Sequence, residues 1–360
     1  MIGATFSRYM ATRFATTVLS TFGGVFFLIF TIDLVETLRR TSDAPRATGF
    51  ALALLSFFHT PVIAEQALPF AVLFGSMIVF LNLSRKMELV VARAAGVSVW
   101  QFLAPTILVV LLIGLVSVGA YNPVAAFLKQ RADALEAKIF DQPGQTAATG
   151  LWIRQKSVDG QAILRAESAS GGGVVLSGVT VFGFDPGGKF DERIDAASAT
   201  LQRGYWRLQD AKIVIPGFET QSAGAYLLAT NLTAREVSQT FTAPETVPFW
   251  ALPELAGQTE RAGLDATGYR LHYQELLARP LMLAAMVLVA ASFSLRFFRM
   301  GGVGVMVSGG VAAGFVLYVA TKLVGDLGGA GFVNVVVAGW SPAVVGCLFG
   351  VLSLLHQEDG

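Results

Sequence analysis

Six long apolar runs alternate with polar connections along the chain. They fall near residues 14–35, 61–83, 101–122, 280–295, 303–324 and 335–355, each close to the ~20 residues a helix needs to cross ~30 Å of hydrocarbon. The pattern predicts six transmembrane helices, three before and three after a stretch in which such runs disappear. The first run is too long for a signal-peptide core and lacks a small-x-small cleavage site, so it is expected to stay as a span.

In the stretch between, the period changes. VVLSGVTVFGFDPGGKFDERIDAASATLQRGYWRLQDAKIVIPGF sets short β-branched and aromatic runs between Gly, Pro and Asp at intervals of roughly ten residues, as in an antiparallel sandwich or jelly roll rather than βαβ units. NPVAAFLKQRADALEAKIF, just before it, has helical composition and reads as the third span continued out of the bilayer. Charge divides the chain in the same place, because residues 129–279 hold 32 of the 51 Lys, Arg, Asp and Glu. The predicted fold is a membrane α-helical protein of six transmembrane helices with an inserted all-β, jelly-roll-like domain. Residues 1–128 carry helices one to three, residues 129–275 the β domain and residues 276–360 helices four to six.

Composition agrees. The chain is 54% hydrophobic and 14% charged with a mean hydropathy of +0.60, against ~25% charged residues in a typical soluble domain. A net charge of +1 sets nucleic-acid binding aside. His59, His272 and His356 are far apart and the single cysteine, Cys347, lies in an apolar run, which leaves no disulfide framework, no CxxC and no zinc spacing.

Gly183–Phe190, GFDPGGKF, has the G-x4-G-K spacing of a phosphate loop but ends in Phe190 and is followed by strand-like sequence. It is read as a β-turn at Asp185-Pro186-Gly187-Gly188, so no nucleotide-hydrolysing site is expected in this chain. Gly310-x3-Gly314 and Gly346-x3-Gly350 have the spacing that lets membrane helices approach closely. Asp33 and Glu65 sit within or at the edge of apolar runs, where a carboxylate must be paired or reach water. Local pairing and snorkelling is one reading; a charged rim around an opening for an anionic ligand, with Arg39 and Arg40 just beyond, is the other. Lys322 and Asp326 form a second such cluster. With the amino terminus inside, Arg8, Arg13, Arg85, Lys86, Arg93, Arg296 and Arg299 are weighed against Arg39, Arg40 and Arg46 outside, and the positive-inside bias barely decides orientation.

Residues 84–100, SRKMELVVARAAGVSVW, place Arg85, Lys86, Glu88 and Arg93 in the short gap between two apolar runs. On a helical wheel Met87, Val90, Val91 and Ala94 share one side, and the charges share the other with Leu89 and Ala92. Gly96 is placed to end this helix, and Ser98 with Gln101 has the form of a capping box for the next span. An interfacial connector is one reading and a docking helix the other. Glu88 favours docking, since a carboxylate amid cations contributes nothing to topology yet can accept a bidentate arginine from a partner.

MELVVARAAGVSVWQFLAP, the three-plus-three spans around a β domain and the closing GWSPAVVGCLFGVLSLL resemble the LptF/LptG family of lipopolysaccharide-export permeases over nearly the whole chain. ARPLMLAAMVLVAASFSLRFFRMGG and AGWSP look more like the LptG branch. The resemblance implies an ABC-transporter permease of the bacterial inner membrane, with both termini cytoplasmic and the β domain periplasmic. It implies an LptF-like paralogous permease, an LptB-like ATPase dimer, and LptC- and LptA-like jelly-roll proteins that receive lipopolysaccharide extracted from the membrane. ATP and magnesium would be used by the ATPase, with no cofactor in this chain. Residues 84–97 correspond to the family's coupling helix, with Glu88 meeting the ATPase among Arg85, Leu89 and Arg93. The family's cavity is lined by spans one and five. That assigns Arg39, Arg40 and Arg131 to the lipid's phosphates or sugars. The residues read physically in the same direction: acyl chains need an apolar cavity open to the side, and Phe22, Phe26, Phe27 and Phe30 of span one, with Phe22, Phe26 and Phe30 at helical spacing, and Phe315 and Leu317 of span five are candidates for it; simple lipid-facing or packing side chains are the other reading. A permease that only moves its β domain, and a membrane-anchored β-domain scaffold, are the rival readings. A secondary transporter would place ionisable groups near the bilayer midplane, and the centres of these runs carry none.

Overall fold

The computed structural model describes residues 4–40, 48–88, 91, 94, 96, 98–139, 151–157, 160–170, 173–185, 189–233, 237, 243–261, 265–295 and 303–358. The chain divides into two compact units. One comprises Met1–Ala132, Pro248–Trp250 and Arg270–Gly360, the other Asp133–Val247 and Ala251–Tyr269.

The helices are α1 (Ala4–Arg40), α2 (Gly49–Arg85), α3 (Val99–Val116), α4 (Asn122–Ile139), α5 (Leu252–Arg261), α6 (Thr267–Ser294), α7 (Val303–Gly329) and α8 (Val335–Glu358). A π-helical turn, Ser117–Tyr121, joins α3 to α4. Among the described residues, six helical segments are long and apolar enough to cross a membrane, the third running through that turn from Val99 to Glu136. The six apolar runs fall on these helices, and several of the helices extend well beyond them. α1 and α2 have 37 residues each, about 55 Å at ~1.5 Å per residue.

In the first unit α6 is the most enclosed span and α1 the least. An unbroken buried run from Met282 to Ala291 on α6 joins Phe80 and Leu83 of α2 and Phe102 and Leu103 of α3 in one core. Both glycine pairs lie at helix contacts. A Cβ on Gly310 would stand 2.6 Å from Met77 Cε, and one on Gly314 would collide with Leu73, so α7 lies directly against α2. A Cβ on Gly350 would meet Leu288 Cβ at 2.5 Å, and one on Gly346 would meet Leu317 and Ala285. Small residues let these backbones approach where lipid supplies no hydrophobic drive for helix association.

The second unit holds one six-stranded antiparallel sheet in the order β1 (Leu151–Ser157), β2 (Gly160–Ser170), β3 (Val175–Phe184), β4 (Phe190–Gln202), β5 (Tyr205–Val214) and β6 (Gln221–Ala229). Period-two alternation puts one row inward across five strands, Ile153, Leu164, Val181, Ile194 and Ile213, which are register partners. The inserted β domain is present as expected, with its strands connected consecutively. Gln155 on β1 closes the roll: its Oε1 accepts from Trp206 Nε1 at 3.2 Å and Thr230 Oγ1 at 2.6 Å, and its Nε2 donates to Ala229 O at 3.1 Å. These bonds bring the first strand to the last two across the core. GFDPGGKF joins β3 to β4, where Asp185 N–H donates to Lys189 O and Asp185 Oδ1 accepts from Lys189 N–H, both at 2.9 Å. It closes a hairpin and opens no helix.

Candidate functional site

Two polar centres stand among the helices of the first unit, one just past the end of α2 and one near its middle. At the first, α2 stops at Arg85, Lys86 caps it by donating to Asn82 O and Ser84 O, and Met87 turns left-handed at φ 57, an unusual angle for a residue with a Cβ. Glu88 follows. The connection ends at Gly96, φ 82, and Ser98 opens α3 with a complete capping box to Gln101. Met87 is 61% and Val91 67% exposed, and Arg85 is exposed. Leu89 and Arg93, expected in the same contact, lie outside the described residues.

Glu88 is not a solitary carboxylate. On α1, Met10, Phe14 and Val18 form a buried stripe at four-residue spacing, which leaves Tyr9 and Arg13, also four apart, on one flank. Tyr9 O–H donates to Glu88 Oε2 at 3.3 Å, and Arg13 Nη1 donates to Oε1 and Oε2 at 3.4 and 3.3 Å. Arg13 Nη1 also donates to the Tyr9 hydroxyl at 2.5 Å. Charge pattern pointed to Glu88; its partners, 75 and 79 residues away, carried no local signal.

The second centre lies where the apolar runs of α2, α3 and α6 end. Glu65 keeps 7% of its side chain exposed and pairs with Arg279 of α6, which keeps 15%. Asn122 Nδ2 donates to both Glu65 oxygens at 3.0 and 3.3 Å, and Asn122 Oδ1 accepts from Phe249 N–H at 2.9 Å. Tyr121 O–H donates to Pro61 O at 3.0 Å. Four chain segments thus meet at one neutralised carboxylate, and Glu65 belongs to an inward-facing pair, not to a rim.

Asp33 is also engaged. His59 Nδ1 stands 3.1 Å from Asp33 Oδ1, and Lys129 Nζ stands 2.8 Å from His59 Nε2. An ammonium only donates, so Nε2 accepts and the ring proton on Nδ1 points at Asp33. The set ties α1, α2 and α4 together just below Arg39 and Arg40, which end α1 and are exposed. Arg131 is exposed and lies over the Phe127 ring at 4.9 Å.

Of the apolar candidates, Phe26 and Phe30 are half-buried on α1 and Phe22 meets Tyr121 edge-on at 5.8 Å. Phe315 is 57% exposed while Leu317 is 9% exposed and packs in the core against the Gly346 position; two residues apart on a helix, they face opposite ways. Lys322 and Asp326 are exposed on α7. Among the described residues, no group of three or more His, Cys, Asp or Glu could hold a metal ion. Arg279, Asn122, His59 and Lys129 escaped the sequence reading, although Arg279 and Asn122 each stand directly before a proline at the edge of an apolar run.

With this geometry in hand, a comparison with protein families finds a match between residues 8–356 and the lipopolysaccharide export system permease LptF/LptG model. The chain is also similar to the lipopolysaccharide export system permease protein LptG of Escherichia coli (strain K12), 24% identical over 330 residues that cover 89% of each protein. The LptG protein of Escherichia coli O6:H1 matches to the same extent.

Proposed function

The chain belongs to the lipopolysaccharide export system permease LptF/LptG family, and on that premise we propose that it is the LptG-like subunit of an ABC transporter that extracts lipopolysaccharide from the inner membrane. A separate LptB-like ATPase dimer hydrolyses the ATP, using magnesium, and this subunit carries out no catalysis. An LptF-like permease completes the membrane part. LptC- and LptA-like jelly-roll proteins take the lipid onward from the β domain, which stands on the periplasmic side with both termini in the cytoplasm.

The observation that carries this reading is the turn after α2. There Glu88 presents a part-exposed carboxylate, which a partner's arginine would take up in a charge-assisted bond. Met87 and Val91, exposed on the other side of the predicted helix, would hold it to the membrane face. On the other side, exposed Arg39, Arg40 and Arg131 would meet phosphates, and Phe26, Phe30 and Phe315 would meet acyl chains; Leu317 supports α7 from within.

The test is co-purification with the ATP-binding subunit, followed by mass analysis of bound lipid. The intact protein is expected to retain both ATPase and lipopolysaccharide, and Glu88→Ala to remain inserted while losing about 90% or more of the retained ATPase, the equivalent of one charge-assisted bond. Normal retention and normal lipid release in Glu88→Ala would refute the contact. A complex that holds ATPase but no glycolipid would favour a permease that moves only its β domain.

A further inference from the structure

The first helix is held along one face. Met10, Phe14 and Val18 are enclosed and Phe22 packs on the same core, whereas Leu19, Phe27, Leu28, Ile32 and Val35 on its other faces are exposed. At the far end Asp33 reaches His59, and Thr37 Oγ1 accepts from Ser56 at 3.3 Å. A helix held on one face, with its other faces open, shifts as a unit when one end is drawn.

At the near end, Tyr9, Arg13 and Glu88 form a closed triangle. The Tyr9 hydroxyl accepts from Arg13 and donates to Glu88, so polarisation runs from guanidinium to carboxylate through one oxygen. The Arg13–Tyr9 bond is 2.5 Å, while every bond to Glu88 is 3.3–3.4 Å, beyond the usual upper limit of ~3.2 Å for N–H···O. Tyr9 and Arg13 therefore form a preset clasp on α1, and Glu88 is its looser third member. The contacts from Arg13 and Tyr9 occupy about three of the roughly four lone-pair sites of a carboxylate. At least one remains for a donor from another chain.

We propose that Tyr9 and Arg13 are positioning residues for Glu88, tying the docking carboxylate to the first span so that displacement of the docking segment is delivered to α1. This inference rests on the reading of Glu88 as the ATPase contact. A partner's donor enters at the open lone pair, the clasp tightens as Glu88 is drawn in, and α1 follows as a unit.

The experiment uses the assembled transporter in proteoliposomes loaded with lipopolysaccharide, measuring ATPase retained, ATP hydrolysed and lipid transferred per ATP. Arg13→Gln and Tyr9→Phe, separately and together, are expected to lower lipid transferred per ATP by about three- to tenfold, the range for a part-exposed charge-assisted bond. Arg13→Lys, which keeps the charge and a donor, is expected to recover to within about twofold of the natural protein. Combining Arg13→Gln with Glu88→Ala should be no worse than Glu88→Ala alone. Unchanged lipid per ATP in Arg13→Gln and Tyr9→Phe, alongside a defective Glu88→Ala, would overturn the clasp and leave the proposed function standing. Losses that add in the double variant, or no rescue by lysine, would overturn it equally. An unaffected Glu88→Ala would overturn both.

Discussion

Replacing Glu65 by leucine removes one carboxylate and orphans two donors. Arg279 loses its counter-charge in a setting where only 15% of its side chain is exposed, and one buried charge left without its partner costs about 3–5 kcal/mol, with the low end apt for a guanidinium that keeps some water. Asn122, 1% exposed, loses the acceptor for its Nδ2, adding about 1 kcal/mol. Glu65→Leu should therefore destabilise the first unit by about 4 kcal/mol, and Arg279→Met, which leaves Glu65 with Asn122 alone, by about 3 kcal/mol. The double variant leaves only the Asn122 amide short of a partner and should lose about 1–2 kcal/mol, well below the sum of the two. Equilibrium unfolding in mixed detergent micelles, followed by tryptophan fluorescence, supplies the four values of the cycle. Losses that simply add to about 7 kcal/mol, or a Glu65→Leu variant within about 1 kcal/mol of the natural protein, would refute the claim that the pair is buried and mutually dependent.

Two further outcomes follow from packing. Gly314→Val sets a branched side chain against Leu73 and should cost about 1–3 kcal/mol by overpacking in the same titration; a variant as stable as the natural protein would mean that α7 does not lie on α2 there. Gln155→Leu removes the partner of Trp206 Nε1 and Thr230 Oγ1 and should lower the hydrogen-exchange protection of β1 and β5 amides by about 2–4 kcal/mol, and a loss below about 1 kcal/mol would show that Gln155 does not close the roll.

Several features were legible because their causes are local. Apolar runs of membrane length gave the six spans, period-two alternation with Gly and Asp punctuation gave the strands, and Ser98 with Gln101 gave the start of α3, each from residues within a turn or a strand of one another. The glycine spacings marked the right faces because close approach needs small residues wherever helices touch. Pairings between distant positions were beyond such reading. Glu65 and Arg279 are 214 residues apart, and nothing near Glu65 distinguishes an inward ion pair from a solvent-facing rim. Glu88 stood out as an anomaly of charge, yet only the fold brings Tyr9 and Arg13 to it. Phe315 and Leu317 looked alike as apolar residues of one span; which faces inward depends on where α8 lies.

The π-helical turn at Ser117–Tyr121 amounts to a phase shift of one residue. A continuous α-helix through these positions would rotate everything after them by about 100°, carrying the Asn122 amide off Glu65 and the Lys129 ammonium off His59 while leaving the helix length almost unchanged. Deleting any one of the five residues is thus a different experiment from mutating it, since the shortened segment can close as ordinary α-helix with α4 keeping its aim. When permeases of this arrangement are aligned through their third spans, the residue that corresponds to Asn122 has to be counted from the turn and not from Val99, or each position beyond it is assigned to the wrong face.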